Sequence, residues 1–342
     1  MKIRCTALFL TLLVASSAQA DWDKVAPGVD FQEFKEGTLD VFVTRIDLTN
    51  PALAVISSRE ADRATRVTEF AKRTGALAAI NGDYFDDQFK PVGLTLTECG
   101  SWIERAPSKR KEAFVAIGAG KAELEKAADL GDDETPADWA NEGISGWPVL
   151  VDDCTPLTAT QLPGSDAFTR APHPRTAVGI SKNGTTMYFV VADGRRTGVP
   201  GLTLAELASF MSDRLHTCSA LNLDGGGSTA MAVRGKLVNR PSDGFERKVS
   251  NHLAVALTRD LPACSTAPAP LTAATPPTST APAASTSTAA SSSSPSAASP
   301  SPGSPSPSAP PSVTRPPAYP GPVPTAPPAT PPSTPPSRPG AP

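Results

Sequence analysis

One glycine-rich segment constrains the fold of this chain more than any other part of the sequence. It spans residues 221–231 and reads Leu-Asn-Leu-Asp-Gly-Gly-Gly-Ser-Thr-Ala-Met. Apolar stretches on both sides predict a buried strand, a loop and a second buried strand. Glycines let the backbone take positive φ and approach a ligand closely. The segment therefore predicts a binding site in which Asp224 lies at a strand end beside backbone N–H groups. The alternative is a tight β-turn without a functional role.

Composition divides the chain into three parts. Residues 1–20 combine basic residues, a short apolar stretch and Ala-Gln-Ala at 18–20, which predicts a signal peptide. Residues 265–342 are rich in Pro, Ser, Thr and Ala, which predicts a disordered tail, either inert or a stalk near the cell wall. Residues 21–264 remain as one large domain. We therefore expect an exported protein, periplasmic or extracellular, with no membrane span.

The charge of the predicted domain argues against nucleic acid as a partner. It carries 27 basic and 34 acidic side chains, because four of the 31 basic residues (Lys2, Arg4, Arg315 and Arg338) lie outside it. A field of that sign repels polyanions. An anionic substrate would therefore have to be bound by a local cluster of arginines.

The cysteines of the domain predict two disulfides. Cys99, Cys154, Cys218 and Cys264 form an even set, and an oxidising compartment favours their pairing. Three pairings are possible. A disulfide that includes Cys264 would fix the end of the domain where the predicted tail begins.

The spacing of apolar residues predicts a single α+β domain with a mixed, largely antiparallel β-sheet and few helices. Helices are expected at 65–74 and 204–216, and residues 121–141 are expected to form an exposed polar excursion. Because hairpins outnumber strand–helix–strand units, an α+β fold is favoured. Two hairpins are predicted, one of strands 39–48 and 52–56 and one of strands 175–180 and 186–191. The other predicted strands are 76–80, 92–96, 114–117, 148–151, 219–224, 230–233 and 253–257.

Several predicted strands end in a polar residue followed by glycine. The segments are Asn81-Gly82-Asp83, Asp193-Gly194-Arg195 and Asp224-Gly225. Loops at strand ends on a rigid sheet often carry functional residues. If these ends share one edge of the sheet, their carboxylates meet several arginines there. The alternative is that each Asp-Gly is an independent turn.

Cations near these segments complete the candidate set. Arg175 follows Pro172-His173-Pro174 at the start of a strand, where it is either a surface charge or a clamp for phosphate or carboxylate. Arg195 presents the same alternative. Arg247 and Asn251 precede the last predicted strand and add a cation and an amide.

The sequence lacks the motifs of several other kinds of catalysis. It has no His-Glu-x-x-His, Gly-x-Ser-x-Gly or Walker pattern, and its histidines are not spaced as metal ligands. A hydrolase pair of Ser228 with His252 is one alternative. A divalent cation held by Asp193 and Asp224 is another.

Six motifs, in order along the chain, resemble the phosphodiester glycosidase family. The resemblance covers most of residues 40–258 and implies hydrolysis of the bond between the anomeric carbon of a sugar and a phosphodiester. Asp83 and His252 depart from the family pattern, which more often has small residues at these positions. The motifs are 81–85 (Asn-Gly-Asp-Tyr-Phe), 175–179 (Arg-Thr-Ala-Val-Gly), 191–195 (Val-Ala-Asp-Gly-Arg), 203–208 (Thr-Leu-Ala-Glu-Leu-Ala), 222–228 (Asn-Leu-Asp-Gly-Gly-Gly-Ser) and 249–251 (Val-Ser-Asn).

The resemblance and the residues together give a hypothesis for the site. Cleavage leaves positive charge on the sugar and negative charge on the phosphate, which carboxylates and cationic or N–H donors stabilise respectively. We expect Asp224 or Asp193 to act as nucleophile or base, and Arg175 and Arg195 to bind phosphate. Asn81 and Asn251 are expected to hold sugar hydroxyls. The full substrate-binding set is Asn81, Asp83, Arg195, Gly225, Gly226, Gly227, Ser228, Arg247 and Asn251.

Three functions are compatible with the sequence. The first is an exported hydrolase of a sugar-1-phosphodiester, resembling a GlcNAc-1-phosphodiester, on an envelope or extracellular polysaccharide. The second is a non-catalytic carbohydrate-binding module at the cell envelope. The third is an esterase that depends on Ser228.

Overall fold

Antiparallel strands form most of the regular structure. The computed structural model describes residues 22–108, 112–130, 135–261 and 264, so the predicted signal peptide and tail lie outside the described residues. In chain order the strands are β1 (Asp23–Ala26), β2 (Val29–Glu36), β3 (Leu39–Asp47), β4 (Leu53–Ser57), β5 (Ala78–Asn81), β6 (Thr95–Thr97), β7 (Gly100–Ser101), β8 (Ala113–Gly118), β9 (Lys121–Glu125), β10 (Glu142–Gly146), β11 (Val149–Asp152), β12 (Thr155–Pro156), β13 (Arg175–Ile180), β14 (Thr186–Ala192), β15 (Ser219–Asn222), β16 (Met231–Val233), β17 (Lys236–Leu237) and β18 (His252–Leu257).

Helices are few and short. Helix α3 (Leu204–Leu215) begins at the predicted capping box, where Glu206 N donates to Thr203 Oγ1 (3.2 Å) and Thr203 N donates to the Glu206 carboxylate (2.8 Å). It ends at His216, which takes the left-handed conformation. In the part of the chain that the structure describes, no helix has both the length and the apolar character needed to cross a membrane. The α-helices are α1 (Val67–Thr74), α2 (Asp166–Thr169) and α3 (Leu204–Leu215).

The strands are arranged in three sheets. Sheet I has the order β1-β2-β3-β14-β13-β15-β11-β12, sheet II the order β7-β6-β10-β8-β9 and sheet III the order β17-β16-β5-β18-β4. Every pairing between these strands is antiparallel. The predicted α+β class with a largely antiparallel sheet is confirmed.

Sheet I is buried on both faces. Successive side chains of a strand point to opposite faces. Phe42 of β3 and Phe189 of β14 join a core shared with sheets II and III, whereas Val43 and Val190 join a second core under α3. The central strands of sheet I therefore lack the apolar–polar alternation of a half-exposed strand.

The structure confirms one of the two hairpins predicted from turn residues and corrects two predictions. β13 and β14 form the expected hairpin. The expected hairpin of β4 with β3 was wrong, because β4 pairs with β18 in sheet III while β3 lies between β2 and β14. The predicted excursion at 121–141 was also wrong at its start, where β9 pairs with β8. A turn sequence fixes a change of direction but not the partner of the next strand.

Two disulfides connect the four cysteines of the predicted domain. Cys154, in the β11–β12 turn, bonds to Cys218 just before β15. Cys99, in the β6–β7 turn, bonds to Cys264. The expected number is confirmed, and Cys264 is fixed to sheet II.

Candidate functional site

The ends of strands β5, β13 and β15 meet at one place. Asp224 N donates to Gly82 O (3.0 Å), and Asn81 Nδ2 donates to Asp224 O (2.7 Å). Gly226 N donates to Pro174 O (2.9 Å). The loop after β15 is therefore held between the end of β5 and the residue that precedes β13.

The segments that carry Arg175, Asp193 and Asn251 border the same region. Arg175 pairs with Ala192 across β13 and β14, and Asp193 follows directly. Gly82 N donates to Asn251 O (2.9 Å) just before β18. The segments that the sequence predicted to meet thus lie together, and we call this region the candidate site.

Residues 224–228, the glycine loop, have no space for side chains at positions 225–227. Gly226 has φ +61° and begins a short 3₁₀ turn. A Cβ on Gly225 would lie 2.7 Å from Pro174 O, and a Cβ on Gly227 would overlap the side chains of Arg247 and Asp243. Glycine is favoured here because backbone lies close to residue 225, residue 226 has a positive φ, and a side chain at residue 227 would displace Arg247 and Asp243.

An exposed guanidinium group covers one side of the glycine loop. A Cβ on Gly226 would lie 3.0 Å from Nη1 of Arg195. Nε and Nη2 of Arg195 lie 3.4 and 3.3 Å from Nδ1 of His173. Burial, together with the neighbouring Arg175 and Arg195, lowers the pKa of His173, which favours the neutral imidazole that can accept from Arg195.

A second guanidinium group also contacts the glycine loop. Arg247 lies against Gly227 and forms an ion pair with Asp243, four residues earlier. Arg195 and Arg247 thus place two positive charges at neighbouring residues of the loop. Such a combination suits a phosphate, whose oxygens accept several charge-assisted hydrogen bonds.

Asp224 supplies a partly exposed carboxylate at the start of the glycine loop. Its Oδ1 accepts from Gly225 N at 2.9 Å. Its backbone is fixed on both sides by the end of β5, through Gly82 and Asn81. The position of this carboxylate therefore depends on contacts between sheets I and III.

Asp193, by contrast, is buried and both of its carboxylate oxygens are occupied. Oδ1 accepts from Asn239 Nδ2 (3.0 Å) and Arg240 N (3.1 Å), and Oδ2 accepts from Arg196 Nη2 (2.7 Å) and Arg240 N (3.0 Å). Burial raises the pKa of Asp193, although these donors and the Arg196 charge oppose that shift. The carboxylate joins the loop after β14 to the loop after β17.

Arg175 is also buried, with 2% of its surface exposed. Its Nε donates to Leu202 O (2.9 Å) and its Nη2 donates to Phe168 O (2.6 Å). The guanidinium lies 5.2 Å from the centroid of the Phe168 ring, a cation–π distance. Trp147 stacks on Phe168 from another side, with centroids 5.3 Å apart. Arg175 therefore helps to fix the position of two aromatic rings.

Tyr84, Trp147 and Phe168 form an aromatic wall next to the glycine loop. Asn222 joins the two, since its Nδ2 donates to Tyr84 Oη (2.6 Å) and Trp147 O (2.9 Å), and Asp224 is only two residues away. Asn222 Oδ1 is buried without a hydrogen-bond partner among the described residues. The sequence gives no signal for this wall, because Tyr84 and Trp147 come from two separate loops, Phe168 comes from α2, and no spacing relates them.

Asn81 and Asn251 are fully buried, and their side-chain amides form hydrogen bonds to other groups of the protein. Asn81 Oδ1 accepts from Thr176 Oγ1 (2.8 Å) and Ala230 N (3.1 Å). Asn251 Nδ2 donates to Thr95 Oγ1 (2.6 Å). These contacts hold neighbouring strands together below the candidate site.

Asp83 lies in the same buried layer as Asn251. Asn251 Oδ1 accepts from Asp83 N (2.8 Å), and the Asp83 carboxylate accepts from Tyr84 N (2.7 Å) and Gly93 N (2.6 Å). Burial, followed by the charge and hydrogen bond of buried Glu112, raises the pKa of Asp83 well above its usual value. The raised pKa favours the protonated form of the Asp83 carboxyl group.

Ser228 and His252 do not form the hydrogen-bonded pair considered from the sequence. The His252 ring stacks on Phe70 with centroids 4.7 Å apart, and its Nε2 lies 3.2 Å from Thr65 O. Its Nδ1 has no hydrogen-bond partner in the described part of the chain. Burial lowers the pKa of His252 to about 3, so the ring is neutral near pH 7.

The candidate site offers few side chains that could bind a metal ion. Across residues 22–108, 112–130, 135–261 and 264, no group of three or more His, Cys, Asp or Glu side chains is arranged to hold a metal ion. The oxygens of Asp193 already accept from Arg196, Asn239 and Arg240. The geometry therefore gives no support to an ion shared by Asp193 and Asp224.

A family model matches more than half of the chain. The model, described as phosphodiester glycosidase, covers residues 74–256. This range contains the ends of β5 and β14, the glycine loop and Arg247.

Individual curated relatives match between a quarter and just over half of the chain. The SPbeta prophage-derived uncharacterized protein YomE of Bacillus subtilis (strain 168) is 29% identical over 197 residues, 57% of this chain and 30% of that protein. Mouse N-acetylglucosamine-1-phosphodiester alpha-N-acetylglucosaminidase is 41% identical over 85 residues, 25% of this chain and 16% of that protein. The chain thus spans less than a third of the length of these curated relatives.

Two solved structures share the fold. One is the catalytic domain of the zebrafish N-acetylglucosamine-1-phosphodiester alpha-N-acetylglucosaminidase, auto-inhibited by its pro-peptide (TM-score 0.52, 21% identity, 66% of this chain and 81% of that chain). The other is a hypothetical protein from Synechocystis (TM-score 0.51, 17% identity, 71% of this chain and 64% of that chain). At these identities the likeness concerns the fold alone.

Proposed function

Because the chain belongs to the phosphodiester glycosidase family, we propose that it is a hydrolase that cleaves the glycosyl–phosphate bond of a sugar-1-phosphodiester. The main support for this proposal is the arrangement of charged groups at the glycine loop. The partly exposed carboxylate of Asp224 begins a glycine loop that is flanked by the guanidinium groups of Arg195 and Arg247. A carboxylate beside an anion-binding loop has the two kinds of charge that this reaction needs.

The charges match the bond that breaks. As the bond between the anomeric carbon and the phosphate oxygen lengthens, the sugar ring gains oxocarbenium character and the phosphate gains negative charge. Asp224 would act at the sugar as nucleophile or base. Arg195 and Arg247 would stabilise the departing phosphate. A phosphate is a fair leaving group, so strong general-acid assistance is less necessary than for an ordinary glycoside.

Other candidate residues would act indirectly in this proposal. Arg175 orients the aromatic wall, and Asp193 connects two loops beside it. Asn81 and Asn251 are buried among strands, and Asp83 lies with them. We assign all five a positioning role, in which they hold the glycine loop and the wall without touching the substrate.

Location and substrate are further parts of the proposal. Two disulfides are typical of proteins that fold in an oxidising compartment, which supports export to the periplasm or the extracellular space. The mouse relative is named for N-acetylglucosamine-1-phosphodiesters, so such a diester is the first substrate to try. An envelope or extracellular polysaccharide with sugar-1-phosphodiester links is the natural substrate that we propose.

Release of free sugar from a GlcNAc-1-phosphodiester by the full-length, oxidised chain tests the proposal. We expect turnover by the wild type and a decrease in kcat of at least about a hundredfold in Asp224→Asn, because the neutral amide cannot act as nucleophile or base. The thermal unfolding midpoint should stay the same, since the amide keeps the acceptor for Gly225 N. Activity after dialysis against a chelator tests separately for a divalent cation.

Two results would contradict the proposal. Tight binding of the diester without release of sugar would favour a carbohydrate-binding module. Full activity of Asp224→Asn together with loss of activity in Ser228→Ala would favour the Ser228-dependent esterase.

A further inference from the structure

A large apolar side chain is exposed in the loop that supplies Arg247. Phe245 has 65% of its surface exposed, and Ile103 is the other large hydrophobic residue with comparable exposure among the described residues, at 89%. Single exposed apolar side chains are common and need no function. Phe245 differs from Ile103 in its immediate surroundings, because it lies two residues before Arg247.

The loop around Phe245 is firmly held. We call residues 241–248 the rim loop. The Glu246 carboxylate accepts from Thr68 N (2.8 Å) and Thr68 Oγ1 (2.6 Å) at the start of α1, and Glu246 O accepts from Arg66 Nε (3.1 Å). Gly244 N donates to Pro241 O (3.1 Å) in a turn just before Phe245. An aromatic side chain on a loop that is already ordered loses little further entropy when it binds a ligand.

The same loop contacts the glycine loop. Arg247 and Asp243, on either side of Phe245 in the sequence, both lie against Gly227. Asp224 is three residues away from Gly227, at the opposite end of the glycine loop. The contacts thus connect the groups in an order: the carboxylate of Asp224 begins the glycine loop, the guanidinium groups of Arg195 and Arg247 contact Gly226 and Gly227, and Phe245 belongs to the same loop as Arg247.

A phosphodiester has the same order of parts. Its sugar is linked to the phosphate, and the phosphate is linked to an alcohol on the far side. With the sugar at Asp224 and the phosphate at Arg195 and Arg247, the alcohol extends towards the rim loop. The sugar has its own aromatic neighbours, since Asn222 joins the aromatic wall to the Asp224 end.

We propose that Phe245 is a specificity-determining residue that contacts the alcohol portion of the diester and favours alcohols with an apolar ring. This inference rests on the proposed function. It makes the protein selective for diesters whose alcohol is large enough to cover the Phe245 ring. Contact with one face of an aromatic ring is expected to change kcat/KM by about tenfold.

Two diesters of GlcNAc-1-phosphate, one with methyl and one with cyclohexylmethyl as the alcohol, test this inference. Both alcohols are simple primary alcohols, so the leaving phosphates differ little in basicity. We expect a lower KM for the cyclohexylmethyl diester with the wild-type chain. Phe245→Ala should raise that KM about tenfold and leave kcat within about twofold, while the methyl diester is unaffected. Phe245→Tyr should retain the preference.

Ile103→Ala is the matched control, because it removes an exposed apolar side chain outside the rim loop. It should leave both KM values unchanged. Equal KM values of the wild type for the two diesters would overturn the inference alone. Phe245→Ala kinetics that match the wild type, or a kcat/KM that falls equally for both diesters, would do the same. Absence of sugar release from both diesters would overturn the proposed function and this inference with it.

Discussion

Two aspartates illustrate how strongly local surroundings decide the part that a residue plays. Asp193 and Asp224 both follow a strand and precede a glycine, so their sequence contexts predict the same role for both. Asp193 is buried with donors on both oxygens, whereas Asp224 is partly exposed at the glycine loop. The sequence could predict that the two segments meet. It could not predict which carboxylate reaches the surface, because the donors that surround Asp193 come from residues 239 and 240.

Asp193→Asn should lower stability more than it lowers catalysis per folded molecule. The amide cannot accept from both Arg196 and Arg240 as the carboxylate does, and the partly buried Arg196 guanidinium keeps only Asp40 of its two carboxylate partners. We expect the free energy of unfolding to fall by about 1–2 kcal/mol. Urea unfolding of the wild type and the variant measures this loss. Asp213→Asn, at an exposed position on α3, is the control and should change stability by less than about 0.5 kcal/mol.

Buried His252 should make stability depend on pH. Its folded pKa of about 3 lies below the ordinary value of 6.5, so the unfolded chain binds its proton more readily. The stability that this neutral ring provides is fully present above pH 6.5 and decreases as the pH falls towards 3, by up to about 1.4 kcal/mol per pH unit.

His252→Leu should remove this contribution, since leucine does not titrate. The difference in unfolding free energy between the wild type and the variant should therefore shrink as the pH is lowered from 7 to 4. Denaturant unfolding at several pH values measures it. A difference that is constant across this range would show that the ring is not held neutral by burial.

Sheet III shows what is predictable about individual elements. The sequence predicted a buried strand ending at the Asn81-Gly82-Asp83 segment, and β5 ends at Asn81. It also predicted the β13–β14 hairpin, because the turn and both strands are adjacent in the chain. It did not predict that β4 pairs with β18, since that contact joins residues 53–57 to residues 253–257 and no local signal specifies it. The position of β5 beside the glycine loop depends on such distant pairings.

Glu142 connects elements that the sequence could not relate. Its carboxylate, on β10, accepts from Ser57 N (2.7 Å) at the end of β4 and from Glu98 N (3.1 Å) in the β6–β7 turn. Burial raises the pKa of Glu142 to about 7, even though these donors oppose the shift. The protonated acid is therefore the form that the folded protein favours at mildly acidic pH.

This raised pKa gives a second prediction about pH, opposite in sign to that for His252. The stability that comes from the protonated acid is fully present below pH 4.5 and is lost as the pH rises through 7. Glu142→Gln does not titrate, so its stability relative to the wild type should rise between pH 4.5 and 7. Exposed Glu123→Gln is the control and should show no such trend. Parallel stability curves for wild type and Glu142→Gln would contradict the prediction.

For the whole molecule, the fold class follows from the sequence whereas the order of the layers does not. Many short strands with hairpin turns predict an α+β domain, and the structure has three antiparallel sheets with few helices. That α3 covers one face of sheet I while sheets II and III cover the other depends on side chains that meet only in three dimensions. The burial of both faces of sheet I also explains why its strands show weak alternation in the sequence.

The Cys99–Cys264 disulfide should stabilise the molecule without affecting the reaction. It joins residues 165 positions apart and lies in the β6–β7 turn rather than at the glycine loop. Replacing both cysteines by serine should lower the free energy of unfolding by about 2–5 kcal/mol, because the unfolded chain gains freedom. The kcat of the folded double variant should equal that of the wild type. A large decrease in kcat at full folding would mean that this disulfide also shapes the candidate site.

The crowding around residues 225–227 has a consequence for how specificity can change. A side chain at residue 225 would collide with Pro174 O, one at residue 226 would have to adopt a positive φ, and one at residue 227 would displace Arg247, so this floor tolerates little variation. Phe245 and Lys248 are exposed positions of the neighbouring rim loop that can vary without filling that space. A mutant library restricted to these surrounding positions should yield enzymes with new substrate preferences, whereas one restricted to the floor should yield mostly inactive protein.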